Sequence, residues 1–266
     1  MLTTFPTFPT TMRPLLLAFF ATLSFVTAEE SQWIPLFNGK DLSNWSTKVR
    51  GCPVGENYHD TFRVEDGILK VSYANYKSWE NRYGHLIFKR KFSSYRLRIE
   101  YRFTGEQIAL GPLWAVRNSG IMIHSEAPET MDRNQDFPVG VQIQLLGGLD
   151  KGERTTMNVC GSGTHVMKDG KIMLGHCNNS TSKTYNGDVW VSAEIEVHGS
   201  GTIKHFVEGK EVLSYEKPYL DDKDLHAKEL ITLNGTKELS EGFIAIQAVS
   251  HPIEFRKIEL LMLEDK

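Results

Sequence analysis

The chain has no concentrated basic run and no acidic tail: its 30 Lys and Arg are interspersed with 33 Asp and Glu, for a formal net charge of −3. Nucleic acid demands a positive footprint gathered on one face, so it is not an expected partner. Cysteine is scarce, with only Cys52, Cys160 and Cys177. A chain of this length builds a core without disulfide staples, and these three lack the paired spacing of a zinc site. After the N-terminal region no apolar run reaches the roughly 20 residues of a membrane span, and no membrane-surface helix follows. There is no His-Glu-x-x-His motif and no phosphate loop. Gly161-Ser162-Gly163 lacks the flanking residues and α/β setting of a serine elbow. Helical periodicity, internal repeats and linker composition are missing too, which leaves a single all-β domain as the expectation.

The N-terminal region is of another kind. Met12-Arg13-Pro14 precedes the apolar run Leu15–Val26, and the small residues Thr27-Ala28 precede the acidic pair Glu29-Glu30. A basic residue, a short apolar run and small residues before a polar start describe a secretory signal peptide cleaved after Ala28. The run is too short for a spanning anchor. Residues 1–28 are therefore expected as signal peptide and 29–266 as the domain, exported to the periplasm or the cell exterior. No lipid-accepting cysteine follows the cleavage site, which argues against a direct lipid anchor. Export permits disulfides. Cys160 and Cys177 flank one compact segment and form the favoured pair, with Cys52 free or exchanging into that pair as the alternative.

The rest reads as short strands cut by turns. Phe62–Val71 forms a hairpin about Asp66-Gly67. In Tyr95–Phe103, Tyr95, Leu97, Ile99, Tyr101 and Phe103 share one side, while Arg96, Arg98, Glu100 and Arg102 share the other. That period of two predicts a strand with one core face. Ser119–His124, Val141–Leu146, Trp190–His198, Ile203–Val207, Glu211–Tyr215, Phe243–Val249 and Glu254–Met262 read likewise, with Leu86–Phe88 as a shorter strand. Many short strands with glycine-rich turns predict a sandwich or barrel. Two long stretches, Pro53–Gly84 with its aromatic rings and Gly147–Asp188 with two of the cysteines, are expected as loops that serve a site.

Candidate site residues follow from the same alternation. Gln142 and Gln144 lie side by side opposite the apolar Val141, Ile143 and Leu145. Amides both donate and accept, which suits sugar hydroxyls. Asn118, Gly120, Met122 and His124 share a side of the preceding strand; Gln247 opposes Ile244, Ile246 and Ala248; Glu254 and Arg256 alternate with Phe255. The bland alternative is an ordinary solvated sheet face. Of the histidines, His124, His176 and His251 lie nearest these segments, and a neutral imidazole moves protons or binds a metal beside oxygen ligands. Trp79 and Tyr83 are candidate stacking platforms.

These motifs together resemble the 3-keto-disaccharide hydrolase domain family, formerly of unknown function. Its members have the concanavalin A-like lectin/glucanase fold, a jelly-roll β-sandwich. The resemblance rests on Leu36–Trp45, Phe62–Leu69, Asn118–Ile121, Gln142–Leu146 and Glu254–Glu259, in that order, and covers nearly all of the expected mature chain. Many relatives carry a carboxylate where this chain has Gln142 and an arginine where it has His124. Glutamine is neither acid nor base, and Cys160–Gly187 marks a subgroup with its own site edge.

The resemblance implies cleavage of a glycosidic bond, with 3-keto-glucosides or 3-keto-disaccharides as the substrate class. A C3 ketone acidifies the C2 proton, whose loss drives departure of the C1 substituent before water adds back. That route needs a base, support for an enolate oxygen and a proton donor; it does not need two opposed carboxylates. In this reading His124 or Glu254 is the base and Arg256 the oxyanion support. Asn118, Gln142, Gln144, His176, Gln247, His251 and Trp79 contact the carbohydrate. No cofactor is implied with certainty, and a divalent metal remains an alternative source of the electrostatic work. A non-catalytic glycan-binding module and a structural or interaction protein are the rival classes. The expected outcome is release of free sugar from a 3-keto-disaccharide, impaired in His124→Ala and Glu254→Ala.

Overall fold

The computed structural model describes residues 1–4, 32–173 and 175–264. The apolar run and cleavage site of the expected signal peptide lie outside the described residues.

The first strands are β1 (Ile34–Pro35) and β2 (Trp45–Val49), followed by β3 (Phe62–Glu65) and β4 (Ile68–Val71). The β3–β4 hairpin turns at Asp66-Gly67, with φ of 52° and 76°. Two successive left-handed residues match the twist of the flanking strands, which is why Asp-Gly serves here. Then come β5 (Gly84–Phe92), β6 (Ser94–Phe103), β7 (Asn118–Ser125) and β8 (Gly140–Leu146). The segment 147–188, expected as a loop, instead carries four short strands: β9 (Asn158–Ser162), β10 (Thr164–Lys168), β11 (Lys171–Ile172) and β12 (Cys177–Asn178). Their brevity and polar composition hide them from a periodicity argument. The chain continues through β13 (Val191–His198), β14 (Thr202–Val207) and β15 (Lys210–Leu220). It ends with β16 (Gly242–Ala248) and β17 (Ile253–Met262).

One helix, α1 (Leu225–Asn234), was not expected. It fully buries only Ala227, with Leu230 and Ile231 partly buried beside it, and leaves Leu225 and Leu233 exposed, so its apolar stripe is short and masked by exposed leucines. Its ends did carry a signal. Asp224 accepts from the Ala227 N–H at 2.9 Å as N-cap, and Gly235 closes the helix at φ 69°.

The strands form two antiparallel sheets. The ten-stranded sheet runs β11-β10-β15-β14-β13-β6-β17-β4-β3, with β1 beside β17; the seven-stranded sheet runs β12-β9-β8-β7-β16-β5-β2. Leu97, Ile99, Ile195, Ile203 and Ile258 from the first meet Ile121, Ile143, Ile246 and Val159 from the second in one core. This is the sandwich the alternation predicted, and the sides assigned to Tyr95–Phe103 are those found, odd residues inward. His205 is buried in this core. Its Nδ1–H donates to the Met157 carbonyl at 2.8 Å, so its Nε2 accepts from the Tyr215 hydroxyl at 2.9 Å. Cys160 and Cys177 are bonded and are register partners on β9 and β12, while Cys52 is free and buried.

Ile99 is fully buried between the sheets. Ile99→Ala is expected to cost about 2–5 kcal/mol in urea unfolding; a loss well below that range contradicts the placement of the core.

Candidate functional site

The inward face of the seven-stranded sheet is apolar, and the alternation therefore puts polar side chains on its outer face. Register partners there make one row across the sheet. Lys48 of β2 opposes His85 of β5, and His85 opposes Gln247 of β16. Gly120 of β7 opposes Gln144 of β8, and Gln144 opposes Asn158 of β9. Gly120 joins the two halves. A Cβ at this position would stand 2.4 Å from Gln247 Oε1 and 3.1 Å from Gln142 Nε2, so only glycine lets the two amides cross between strands.

Hydrogen bonds fix how these amides point. Gln142 Nε2 donates to Gln247 Oε1 at 3.0 Å, which leaves Gln142 Oε1 as an acceptor. Asn158 Nδ2 donates to Gln144 Oε1 at 3.1 Å, which leaves Gln144 Nε2 as a donor. Asn158 is itself held by Thr155 and by the Ser180 N–H. Asn118 Nδ2 donates to the Trp114 carbonyl at 3.1 Å, and its buried Oδ1 has no partner among the described residues. The face thus offers donors and acceptors in alternation.

Above it lies a cavity of about 520 Å³, a size suited to a small ligand. Asn118, Gln142, Gln144 and Gln247 form its floor, and Trp114, Phe137, Leu146 and Val249 its apolar walls. Trp114 is half exposed and stacks parallel on Tyr83, ring centres 6.3 Å apart. The segment 147–188 supplies the opposite edge through Arg154, Ser162, His176 and Cys177. Arg154 Nη1 donates to the Gly147 carbonyl at 2.6 Å. Among the described residues Arg154 has no carboxylate partner, and burial lowers its pKa, with the Arg117 charge adding to the effect. No Asp or Glu lines the cavity among the described residues. Among them, no group of three His, Cys, Asp or Glu is placed to hold a metal either.

Of the residues picked out by sequence, the cavity gathers Asn118, Gln142, Gln144, Gln247 and His176. The others lie elsewhere. Glu254 and Arg256 are on the outer face of the opposite, ten-stranded sheet. Glu254 pairs with Arg102 at 2.7 Å and with Lys70 at 3.7 Å. Arg256 pairs with Glu100 and, like Arg102, lies 4.6 Å from the Trp190 ring centre. This is a structural ladder, separated from the amides by the whole core.

His124 leaves the expected side because the strand bulges there. Its φ is 47°, and the β7–β16 register shifts opposite Phe243–Ala245, where Gly242 admits the His124 backbone. Its Nε2–H donates to the Gly199 carbonyl at 3.0 Å. His251 is buried against Phe103, ring centres 5.7 Å apart, and does not line the cavity. Trp79 is buried between Tyr73 and Tyr83; Trp114 is the exposed ring in its stead. Trp114 and Arg154 were missed because neither sits in an alternating strand. His85 lies one residue ahead of the Leu86–Phe88 strand that the sequence predicts, whereas the strand spans Gly84–Phe92.

Comparison with known proteins gives the setting. The family described as the 3-keto-alpha-glucoside-1,2-lyase-like domain matches residues 32–261. Among solved structures, a candidate glycosyl hydrolase from Parabacteroides distasonis ATCC 8503 is 17% identical, with a TM-score of 0.51, covering 87% of this chain and 100% of that one. A second structure so described from the same organism is 17% identical, with a TM-score of 0.47 and coverage of 87% and 94%. At such identity the likeness is one of fold. No curated protein matches in sequence.

Burial pushes His124 and His205 down to about 4, below the ordinary 6.5. Both are neutral in the fold, whereas the unfolded chain takes up their protons near pH 6.5. Stability is therefore expected to fall as pH drops from about 6.5 to about 4, at about 1.4 kcal/mol per pH unit for each imidazole, and that contribution levels off below. Urea midpoints against pH check this, with a shallower slope in His124→Gln; an unchanged slope contradicts it. His124→Gln and Glu254→Gln are expected to leave turnover unchanged, and a large loss in either would return it to the site.

Proposed function

The chain belongs to the 3-keto-alpha-glucoside-1,2-lyase-like domain family, and we propose that its amide-floored cavity binds a 3-keto-glucoside and cleaves the glycosidic bond by elimination across C1 and C2. One observation carries this reading: a sugar-sized cavity rich in amides and aromatic rings whose described lining contains no carboxylate. An ordinary glycosidase needs two such groups flanking the bond. A ketone at C3 removes that need, because the substrate itself stabilises the carbanion at C2.

The lining suits the remaining tasks. Gln142, Gln144 and Asn118 pair with hydroxyls of the pyranose through their free acceptor and donor atoms. Trp114 offers a flat face to the apolar side of the ring. Arg154, a partly buried cation without a carboxylate partner among the described residues, matches the negative oxygen that develops at C3. In this reading His176, which lines the cavity, hands a proton to the departing oxygen. Export through the N-terminal leader belongs to the same proposal and puts the reaction outside the cytoplasm. The same surface also fits a glycan-binding module, which the assay separates from an enzyme.

Purified protein is incubated with a 3-keto-disaccharide and with its unoxidised parent, with and without chelator. Sugar release is followed by proton NMR. Release from the keto form alone is expected, and Arg154→Gln is expected to slow it by about 100-fold or more with a smaller change in binding. Equal cleavage of the parent sinks the elimination reading. Binding without release from either sugar supports the binding module instead.

A further inference from the structure

The polar row on the seven-stranded sheet does not end where the open cavity ends. Beyond Gln247 it continues through His85 to Lys48, beneath the segment that links β7 to β8. The Arg133 carbonyl of that segment accepts from Lys48 Nζ at 3.1 Å, and Phe137 sets its ring against His85, centres 5.8 Å apart and nearly perpendicular. Phe137 is half-buried and lines the cavity, so the same ring touches both the cavity and His85.

His85 is fully buried, and neither ring nitrogen has a partner among the described residues. His205 and His124, equally deep, each hold a carbonyl. Leaving a buried polar atom unpaired costs about 1–3 kcal/mol, and such groups concentrate where function requires them. Packing alone does not call for an imidazole here. The adjoining row at the same depth is filled by Ile87, Ala245 and Met122. His251 also has unpaired nitrogens, but it lies outside this row, against Phe103. The groups facing His85 are Lys48 from β2, Gln247 from β16 and Phe137. Burial, then the Lys48 charge, push His85 down to about 3, so in this closed arrangement the ring is neutral but a weak base, and it acts as one only where an arriving polar substrate relieves that desolvation.

We propose that the sugar site extends under Phe137, that rotation of this ring admits the substrate, and that His85 is the catalytic base for the C2 proton. The inference rests on the keto-glucoside reading above. In the step, an imidazole nitrogen takes the C2 proton, and the C–H electron pair forms the C2–C3 enolate with its charge on the C3 oxygen. The C3 carbonyl then reforms, a C1–C2 double bond forms, and the C1–O bond breaks. The departing oxygen takes a proton, so the products are an enone and an alcohol.

The test titrates 15N-labelled wild-type protein with methyl 3-keto-α-glucoside. The His85 imidazole resonances are identified by their loss in His85→Gln, while binding and turnover of both proteins are measured. His85 signals that shift on saturation support the proposal, as does a turnover loss of about 100-fold or more in a variant that still binds. Wild-type turnover with unmoved His85 signals, or full turnover in His85→Gln, overturns the base assignment and leaves the keto-glucoside reading standing. Wild type that binds without turnover retires the elimination; a His85 shift then supports only the extended pocket, and its absence overturns that too. Wild type that binds no keto-glucoside overturns both. If His85→Gln does not fold, assigning the wild-type signals through Phe137→Leu, which perturbs the neighbouring ring, keeps the spectral arm decisive.

Discussion

The register of the seven-stranded sheet is the constraint on which the site depends. Ile121, Ile143 and Ile246 are pinned inward by Leu97, Ile99 and their neighbours on the facing sheet. With a side-chain period of two, a slip of one residue would drive Gln142, Gln144 and Gln247 into the core and turn the isoleucines to solvent. Apolar burial on one face thus determines where every amide on the other face stands. Gly120 then sets the finer spacing, because any side chain there would displace the Gln142–Gln247 contact.

The two sheets use their outer faces differently. On the ten-stranded sheet, Arg96, Arg98 and Arg102 alternate with Glu194, Glu259 and Glu254 in ion pairs, with Trp33 and Trp190 under the guanidinium groups. Those charges satisfy one another, which leaves little for a ligand. On the seven-stranded sheet the groups are mostly uncharged amides with atoms to spare, and segments from outside the sheet wall them in. Arg154 differs from the arginines of that ladder in that its guanidinium has only carbonyl partners among the described residues. The difference between a solvated ladder and a binding surface is therefore one of unmet hydrogen-bonding capacity rather than of polarity.

Much of the fold was legible because alternation is a local consequence of burying one face of a strand. The hairpin about Asp66-Gly67, the sides of Tyr95–Phe103 and the outward pair Gln142 and Gln144 all follow from it. The short strands of segment 147–188 and the helix Leu225–Asn234 were not legible, since the strands are only two to five residues long and the helix buries one short stripe while exposing other leucines. The site was half legible. Asn118, Gln142, Gln144, Gln247 and His176 line one cavity, while His124, Glu254, Arg256, His251 and Trp79 do not.

By itself the sequence determined the two-residue rhythm, hence the strands, their apolar faces and the polar residues that oppose them. It also carried the ordered motifs of a keto-sugar family. Which polar faces meet was decided only by the tertiary structure, because strand order is set by contacts between residues far apart in the chain. That order placed Glu254 across the core from Gln142 and brought Arg154 and Trp114 to the rim. At Gly242 it allowed the bulge that turned His124 away, and it set His85 beside Gln247, where no local pattern could put it.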